Sequence, residues 1–450
     1  MGRLFGTDGV RGIANLELTP ELAFNLGKAG TRVLSKEGQR PVVVIGKDTR
    51  ISGDMLEDAI AAGIMAMGGN VIKVGILPTP AVAYLVKRYH ADAGIVISAS
   101  HNPFEYNGIK FFNGEGFKLD DAIEDEIEDL ILRDIDSGAR VSGDKLGKCL
   151  AADQDALDKY VDFLITTVQG DFAGLKVVLD CANGAAYQAA EKVFRKLRAE
   201  VHVIHHDPNG MNINEQCGST HPEKLQDMVV KLQADCGMAF DGDADRLIGV
   251  DNRGRLVDGD KLIYICAKAM HKKKELKNNM VTTTVMSNIG FRKAIEKLEC
   301  GFDVANVGDR YVLEKMLQTG CVIGGEQSGH IIFLNHTTTG DGILSAIQVL
   351  QSVRDLDSTL GALADEVTIY PQVLRNAKVK NENKLKYIED PIIQREIDKL
   401  ERKVAGEGRI LIRPSGTEPL VRVMIEGKNQ ENITKQAISL VALIESRLGE

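Results

Sequence analysis

Apolar runs and amphipathic stretches alternate along the first part of this chain. Short apolar runs bounded by turn residues predict buried strands at residues 41–46, 70–74 and 93–97. Apolar positions at helical spacing predict helices that begin after the N-cap Thr19, at Ser52 and after Pro80. Strands and helices in this alternation predict a mostly parallel sheet covered by helices.

The same alternation begins again near residues 175 and 259. The C-terminal part differs, because a long helix at residues 392–403 precedes two strands and a final helix from Asn432. We therefore predict an α/β protein with three similar mixed α/β domains and a C-terminal α+β domain. A chain of 450 residues is too long for one hydrophobic core. The predicted domain bounds are residues 1–150, 151–255, 256–369 and 370–450.

Composition and charge narrow the class of partner. The formal net charge is −9 and Trp is absent, which argues against a basic nucleic-acid-binding face and against base stacking. No apolar run approaches the length that spans a membrane. We expect a small-molecule substrate, with neither nucleic acid nor membrane as a partner.

The seven cysteines are scattered and form no Cys-x-x-Cys pair. This spacing argues against a disulfide framework and against a zinc site, and it favours a reducing compartment. The N-terminal residues contain no apolar signal core. We therefore expect a cytoplasmic protein.

A polar turn follows the predicted strand at residues 93–97, with the sequence Ser-Ala-Ser-His-Asn-Pro at residues 98–103. Ligands of open α/β sheets bind at the carboxyl ends of strands, so Ser100 and His101 are candidate catalytic residues. The alternative is a Ser/Asn/Pro turn that only caps the next segment. Because no Gly-x-Ser-x-Gly surrounds Ser100, a hydrolase nucleophile is disfavoured. A serine can instead carry a phosphoryl group.

Three aspartates at alternate positions, Asp241, Asp243 and Asp245, follow a predicted strand at residues 236–240. Their carboxylates can face one hard cation, and oxygen ligands suit Mg²⁺ or Ca²⁺. An EF-hand is excluded, since Arg246 stands where that loop requires Gly. A phosphate oxygen on Ser100 could complete the metal shell. Arg246 could neutralise transferring charge.

Other loops carry residue types that bind phosphates and sugars. A glycine-rich turn at residues 5–12 contains Arg11, and a hairpin-like turn at residues 106–110 ends with Lys110. Residues 413–417 combine an arginine, two hydroxyls and a glycine, as a phosphate-binding loop requires. Residues 325–330 offer a carboxylate, an amide and a hydroxyl suited to a sugar. Each loop could also be an ordinary surface turn.

Five of these motifs, at residues 5–12, 98–103, 241–246, 325–330 and 413–419, resemble the α-D-phosphohexomutase superfamily in sequence and in order. The resemblance covers essentially the whole chain. The first motif, Phe-Gly-Thr-Asp-Gly-Val-Arg-Gly, and the fourth, Gly-Glu-Gln-Ser-Gly-His, are similar to those of the bacterial phosphoglucosamine mutase branch. Glucose and mannose mutases of the superfamily typically have Met where Gln327 stands.

The resemblance implies four domains around a central active-site cleft. It implies interconversion of glucosamine 6-phosphate and glucosamine 1-phosphate through phosphorylated Ser100 and glucosamine 1,6-bisphosphate, on the route to UDP-N-acetylglucosamine and peptidoglycan precursors. One Mg²⁺ would be held by Asp241, Asp243, Asp245 and the group on Ser100, and the protein would be a monomer or homodimer. Arg11 and Lys110 would position the reacting group and handle protons. The implied substrate-binding residues are Glu326, Ser328 and His330 for the sugar, and Arg413, Ser415, Gly416 and Thr417 for the phosphate.

Three alternatives remain open at this point. A phosphoglucomutase or phosphomannomutase would use the same residues. A Mg²⁺-dependent phosphatase would attack with Asp241 and release inorganic phosphate. A non-catalytic sugar-phosphate sensor would need neither Ser100 nor the three aspartates.

Overall fold

The computed structural model describes residues 4–6, 8–35, 40–133, 141–151, 154–415 and 418–449. The chain forms two compact units, a larger one from Met1–Thr284 and Gly301–Asp365 and a smaller one from Val285–Cys300 and Glu366–Glu450. Among the described residues, no helix is both long enough and apolar enough to cross a lipid bilayer.

The helices and strands follow one another in four successive segments. The first contains β1 (Val10–Ile13), α1 (Pro20–Leu34), β2 (Val42–Lys47), α2 (Gly53–Ala66), β3 (Asn70–Ile76), α3 (Thr79–Arg88), β4 (Ala93–Ile97), β5 (Tyr106–Asn113) and α4 (Asp121–Leu132). The second contains α5 (Ala156–Thr166), β6 (Lys176–Asp180), α6 (Ala186–Lys196), β7 (Glu200–Ile204), α7 (Glu223–Leu232), β8 (Cys236–Phe240), β9 (Leu247–Asp251) and β10 (Leu256–Val257). The third contains α8 (Gly259–Lys272), β11 (Met280–Thr284), α9 (Ile289–Lys297), β12 (Gly301–Ala305), α10 (Asp309–Thr319), β13 (Ile323–Gly325), β14 (Ile331–Phe333), α11 (Gly342–Asp355) and α12 (Leu360–Ala364). The last contains β15 (Gln372–Lys378), α13 (Pro391–Val404), β16 (Gly408–Pro414), β17 (Leu420–Gly427) and α14 (Gln430–Leu448).

The larger unit contains three sheets built on one plan, with orders β1-β5-β4-β2-β3, β10-β9-β8-β6-β7 and β12-β11-β13-β14. In each sheet, three neighbouring strands run parallel to one another. Each strand beyond them, all on one side, pairs antiparallel with the strand next to it. The prediction of three similar mixed α/β segments is confirmed. The expectation of a mostly parallel first sheet is wrong at one edge, where β5 and β1 run antiparallel.

Two segments predicted as turns in the first sheet are strands. Residues 106–110 begin β5, which pairs with β4 on one side and β1 on the other. The glycine-rich segment at residues 5–12 contains most of β1. A Cβ on Gly9 would lie 2.3 Å from the carbonyl oxygen of Ile109, and Gly9 has a φ of +82°. Gly9 is therefore needed for the approach of one strand to another.

Helix starts follow the predicted caps in one case and not in another. The side chain of Thr19 accepts a hydrogen bond from Leu22 N, so Thr19 caps α1 as predicted. Ser52 precedes α2 but makes no capping bond. Its hydroxyl accepts a hydrogen bond from Asn107 Nδ2 instead. This long-range partner takes the place of the local backbone N–H that a capping serine would bind.

The smaller unit is an α+β structure with the antiparallel sheet β15-β17-β16. Helices α13 and α14 supply apolar residues such as Ile397 and Leu440 to a core shared with that sheet. Helix α9 belongs to the same unit, where Ile289 N donates to Glu426 Oε2 at 3.1 Å. The buried carboxylate of Glu426 also accepts a 2.6 Å bond from Arg409 Nε.

Candidate active site

The turn after β4 holds Ser100 in the left-handed backbone region, with a φ of 51°. This conformation is uncommon for residues with a side chain, so other contacts must stabilise it. The carbonyl of Ser100 accepts two hydrogen bonds of 2.9 Å, one from Arg50 Nη2 and one from Asn214 Nδ2. The same two side chains donate to the carbonyl of Asn102. The candidate reactive turn is therefore fixed by buried polar groups.

A second set of contacts supports this turn from β2. Ser98 Oγ donates to Asp48 Oδ2 at 2.5 Å and accepts a 3.0 Å bond from Ser100 N. Arg50 Nε lies 3.2 Å from Asp48 Oδ2, and neither side chain is exposed. Burial raises the pKa of Asp48, although the charge of Arg50 opposes the change. Neither Asp48 nor Arg50 was predicted as a site residue, although both follow β2, which lies beside β4 in the sheet.

The three aspartates that follow β8 converge on one point. One carboxylate oxygen from each lies within 4.8 Å of the others, and all three residues are buried. Ser100 Oγ donates to Asp241 Oδ2 at 2.7 Å. Oδ1 of Asp243 and Oδ1 of Asp245 have no hydrogen-bond partner among the described residues. Buried carboxylate oxygens without donors fit a hard divalent cation such as Mg²⁺.

The crowding of negative charge changes the pKa values of these carboxyls. Burial, followed by the charges of Asp245 and Asp243, raises the pKa of Asp241 to about 8. Burial would also raise the pKa of Asp245, but the neighbouring His330 and Lys110 outweigh burial and lower that pKa. Asp241, next to Ser100, therefore binds a proton more readily than Asp245 does.

Lys110 stands in a row of alternating charges beside the triad. Its Nζ lies 2.8 Å from Asp243 Oδ2 and 2.9 Å from Asp8 Oδ2. Lys118 continues the row with ion pairs to Asp8 and to Asp309. Burial alone would lower the pKa of Lys110, but the charges of Asp243 and Asp8 outweigh it and raise that pKa. Lys110 is therefore a buried, fixed positive charge.

A cavity of about 460 Å³ opens beside the triad in the larger unit. It contains two arginines, two histidines and four carboxylates, so it presents both signs of charge. A substrate with an anionic phosphate and a cationic amine matches that mixture. The charged and titratable residues that line it are Asp8, Arg11, His101, Asp245, Arg246, Asp309, Glu326 and His330.

His101 lines the cavity and lies beside the hydroxyl of Ser100. Its Nδ1 lies 3.3 Å from Ser100 Oγ. Burial, together with the charges of Arg246 and Arg11, lowers the pKa of His101. The ring is therefore neutral near pH 7 and able to accept a proton.

The loop at residues 325–330 is attached directly to the strand that follows the triad. Leu247 N, at the start of β9, donates to the carbonyl of Gly329 at 3.0 Å. The side chain of Glu326 accepts a 3.1 Å bond from Gly308 N through Oε1. Ser328 is exposed at the tip of the loop. The predicted sugar loop and the predicted metal loop are thus neighbours.

His330 is buried at the base of the same loop. Gly340 N donates to His330 Nε2 at 3.0 Å, which leaves the ring proton on Nδ1. Nδ1 lies 3.5 Å from Asp245 Oδ2. His330 therefore orients Asp245 within the triad.

The predicted phosphate loop lies in the smaller unit, after β16. Ser415 Oγ accepts a 3.2 Å bond from Glu418 N, and Lys384 Nζ donates to the carbonyl of Ser415 at 3.0 Å. Burial and the neighbouring charge of Arg422 lower the pKa of Arg413. Adjacent arginines repel one another, and an anion relieves that repulsion. Gly416 and Thr417 of this loop, and Thr7 of the first motif, lie outside the described residues.

A buried carboxyl behind the metal loop gives the fold a pH dependence. Asp341 caps α11 and accepts the Tyr160 hydroxyl at 3.0 Å. The next residue, Gly342, donates its N–H to the carbonyl of Ala244. Burial raises the pKa of Asp341 to about 7, whereas an unfolded aspartate titrates near about 4.

We expect the free energy of unfolding to fall as pH rises from about 4, where an unfolded aspartate titrates, to about 7, where folded Asp341 titrates. Over that window the unfolded chain loses the proton while folded Asp341 keeps it, so the folded state binds more protons. Asp341→Asn lacks this titration, so it should lower Tm more at pH 5 than at pH 8. Thermal unfolding of both proteins at the two pH values measures this difference. An equal loss of Tm at both values would contradict the raised pKa.

Family models match four successive segments of the chain. They are described as the α/β/α domains I, II and III and the C-terminal domain of phosphoglucomutase/phosphomannomutase, and they match residues 2–137, 158–254, 258–370 and 374–442. Together these segments cover most of the sequence.

Full-length relatives and solved structures agree with these matches. Proteins named phosphoglucosamine mutase from Alkaliphilus oremlandii and Alkaliphilus metalliredigens are 56% and 54% identical, and each alignment covers 100% of both chains. The crystal structure of a phosphoglucomutase/phosphomannomutase family protein from Burkholderia thailandensis has a TM-score of 0.81. It is 24% identical, and the match covers 99% of this chain and 97% of that one.

Proposed function

This chain belongs to the phosphoglucomutase/phosphomannomutase family, and we propose that it interconverts glucosamine 6-phosphate and glucosamine 1-phosphate. The observation that carries this proposal is the 2.7 Å hydrogen bond from Ser100 Oγ to Asp241, beside carboxylate oxygens that lack donors. Ser100 then serves as a phosphate carrier, and the reaction proceeds through glucosamine 1,6-bisphosphate. The product would supply UDP-N-acetylglucosamine and peptidoglycan precursors.

Phosphoryl transfer demands positioning and neutralisation of charge more than covalent chemistry. The phosphoryl group on Ser100 Oγ passes to a hydroxyl of the sugar phosphate, and the other phosphate of the bisphosphate later returns to the same oxygen. Lys110, beside Asp243, and Arg11 and Arg246, which line the cavity, supply fixed positive charge to the site. The sugar hydroxyl loses its proton as its bond to phosphorus forms, and Ser100 Oγ gains a proton as its own bond to phosphorus breaks; the return transfer reverses both changes. His101, neutral and 3.3 Å from Ser100 Oγ, is placed to carry this proton between the two oxygens.

Asp241, Asp243 and Asp245 would hold Mg²⁺, together with an oxygen of the group on Ser100. When bound, the ion supplies charge stabilisation to the transferring phosphoryl group. The two oxygens without donors, on Asp243 and Asp245, support this assignment.

The sugar and its second phosphate need separate contacts. Glu326, Ser328 and His330 would bind the sugar, and Arg413, Ser415, Gly416 and Thr417 would bind the phosphate that does not react. One phosphate loop must accept both orientations of the bisphosphate, since either end of the sugar has to reach Ser100. We propose four domains with the bounds predicted above. The protein would act in the cytoplasm as a monomer or homodimer.

The substrate is tested by comparing kcat/KM for the 6-phosphates of glucosamine, glucose and mannose. We expect the highest value for glucosamine 6-phosphate. A higher value for glucose or mannose would show one of the two related mutases instead. Release of inorganic phosphate at the rate of substrate loss would show a phosphatase.

The contacts of Arg50 yield a further prediction. We expect Arg50→Lys to lower kcat by about tenfold to a hundredfold with little change in KM, because an ammonium cannot reproduce the forked bonds that hold the Ser100 turn. Steady-state kinetics measure both constants. Arg133→Lys, an exposed change of the same kind, is the control and should be neutral. A wild-type kcat in Arg50→Lys would contradict the positioning role.

A further inference from the structure

A second cluster of possible metal ligands lies in the larger unit, away from the aspartate triad. Asp180, His205 and Cys217 each offer one ligand atom, and these atoms lie within 4.8 Å of one another. Asp180 ends β6, His205 follows β7, and Cys217 comes from the irregular segment before α7. Their wide separation along the chain explains why cysteine spacing gave no indication of such a site.

The cluster is buried and contains a nitrogen without a hydrogen bond. Asp180 and Cys217 are completely buried, and the side chain of His205 is 14% exposed. His205 Nδ1 lies 2.9 Å from Asp180 Oδ1, yet no described group forms a hydrogen bond with it. At this distance a positive charge shared by the imidazole nitrogen and the carboxylate oxygen, either a proton or a metal cation, would offset the repulsion between their lone pairs.

The backbone holds two of these side chains in place. Ala182 N and Gly218 N each donate a 3.0 Å bond to the carboxylate of Asp180. His205 has a φ of 47°, which fixes it in the left-handed region. Ligand positions that are already set reduce the ordering that metal binding has to impose.

The donor set selects the kind of metal. A thiolate and an imidazole are ligands for zinc and other borderline-soft ions, whereas Mg²⁺ requires oxygen. Three protein ligands leave the fourth tetrahedral position for water. The cation would replace the thiol proton of Cys217, which would be released to solvent.

We propose that Asp180, His205 and Cys217 form a second metal site, specific for Zn²⁺-like ions over Mg²⁺. Binding there does not depend on the identity of the sugar phosphate substrate. The site is linked to the reactive turn through Asn214. Asn214, three residues before Cys217, holds the carbonyl of Ser100, so occupancy would stabilise the segment that supports this turn.

Co²⁺ is a suitable probe, because a cobalt–thiolate bond gives a charge-transfer absorption that oxygen ligands do not. The reduced full-length protein is titrated with Co²⁺ in excess Mg²⁺, which occupies the aspartate triad. We expect the band to saturate at one equivalent per chain and to disappear when Zn²⁺ is added. Absence of a band would overturn the assignment.

Variants locate the ligands. Cys217→Ser should abolish the band, and Cys236→Ser, at another buried cysteine, should leave it unchanged. His205→Asn keeps a residue that tolerates the left-handed backbone. It should weaken Co²⁺ binding by more than the roughly tenfold to hundredfold that loss of an outer-shell partner costs. If Cys217→Ser does not fold, unchanged affinity in His205→Asn still overturns the site.

Discussion

Ser100→Ala is expected to lower mutase activity by about 10⁴-fold or more, the scale seen when an enzyme loses its nucleophile. The variant removes the oxygen that would carry the phosphoryl group and leaves every backbone contact of the turn in place. The bonds from Arg50 and Asn214 end on the carbonyl of Ser100, so the fold should survive. A coupled assay for glucosamine 1-phosphate, with circular dichroism to verify folding, measures the effect.

The matched control is Ser352→Ala. Ser352 is a second buried serine of the larger unit, and its hydroxyl donates back to the carbonyl of Gln348 within α11. We expect nearly wild-type activity from this variant. Substantial activity in a folded Ser100→Ala protein would show that Ser100 is not the phosphate carrier.

Asp243→Asn is expected to weaken Mg²⁺ binding, so that the enzyme needs more Mg²⁺, and to lower activity at limiting Mg²⁺ by more than about a hundredfold, since loss of a direct ligand costs more than loss of an outer-shell partner. The substitution preserves the shape of the side chain and an oxygen for the bond from Thr79 Oγ1. It replaces the oxygen that lacks a donor with an amide nitrogen, which cannot bind the cation. High Mg²⁺ should restore part of the activity, and a chelator should abolish the activity of both proteins.

Titration of the initial rate with Mg²⁺ measures this shift. Asp158→Asn is the control, because it removes one carboxylate from an exposed ion pair with Lys192. The control should have the wild-type Mg²⁺ dependence. The same dependence in Asp243→Asn would contradict a metal role for Asp243.

Hydrophobic patterning was sufficient to predict the elements that bury apolar surface. The predicted strands at residues 236–240 and 93–97 coincide with β8 and β4, because fully buried strands read as continuous apolar runs. The antiparallel edge formed by β1 and β5 was not predicted. Its residues include glycines and polar groups that turns also contain, and they form strands because β5 pairs with β4 and β1 pairs with β5.

The residues of the candidate site also fall into those that the sequence predicted and those that it did not. Ser100, the three aspartates and Glu326 stand in short motifs with recognisable chemistry, and the structure places all of them in one region of the larger unit. Arg50, Asn214 and the pair formed by Lys118 and Asp309 were not predicted. Their roles come from contacts between residues far apart in the chain, such as the 2.9 Å bond from Asn214 to Ser100, and no local pattern marks such contacts.

The most direct test of phosphate transfer through Ser100 is the intact mass of the protein before and after incubation with glucosamine 1,6-bisphosphate. We predict a gain of one phosphoryl group per chain, located on Ser100 by peptide mass spectrometry and lost again on addition of glucosamine 6-phosphate. No gain in mass by initially unphosphorylated protein, or a phosphoryl group on any other residue, would contradict the role of Ser100 as the carrier.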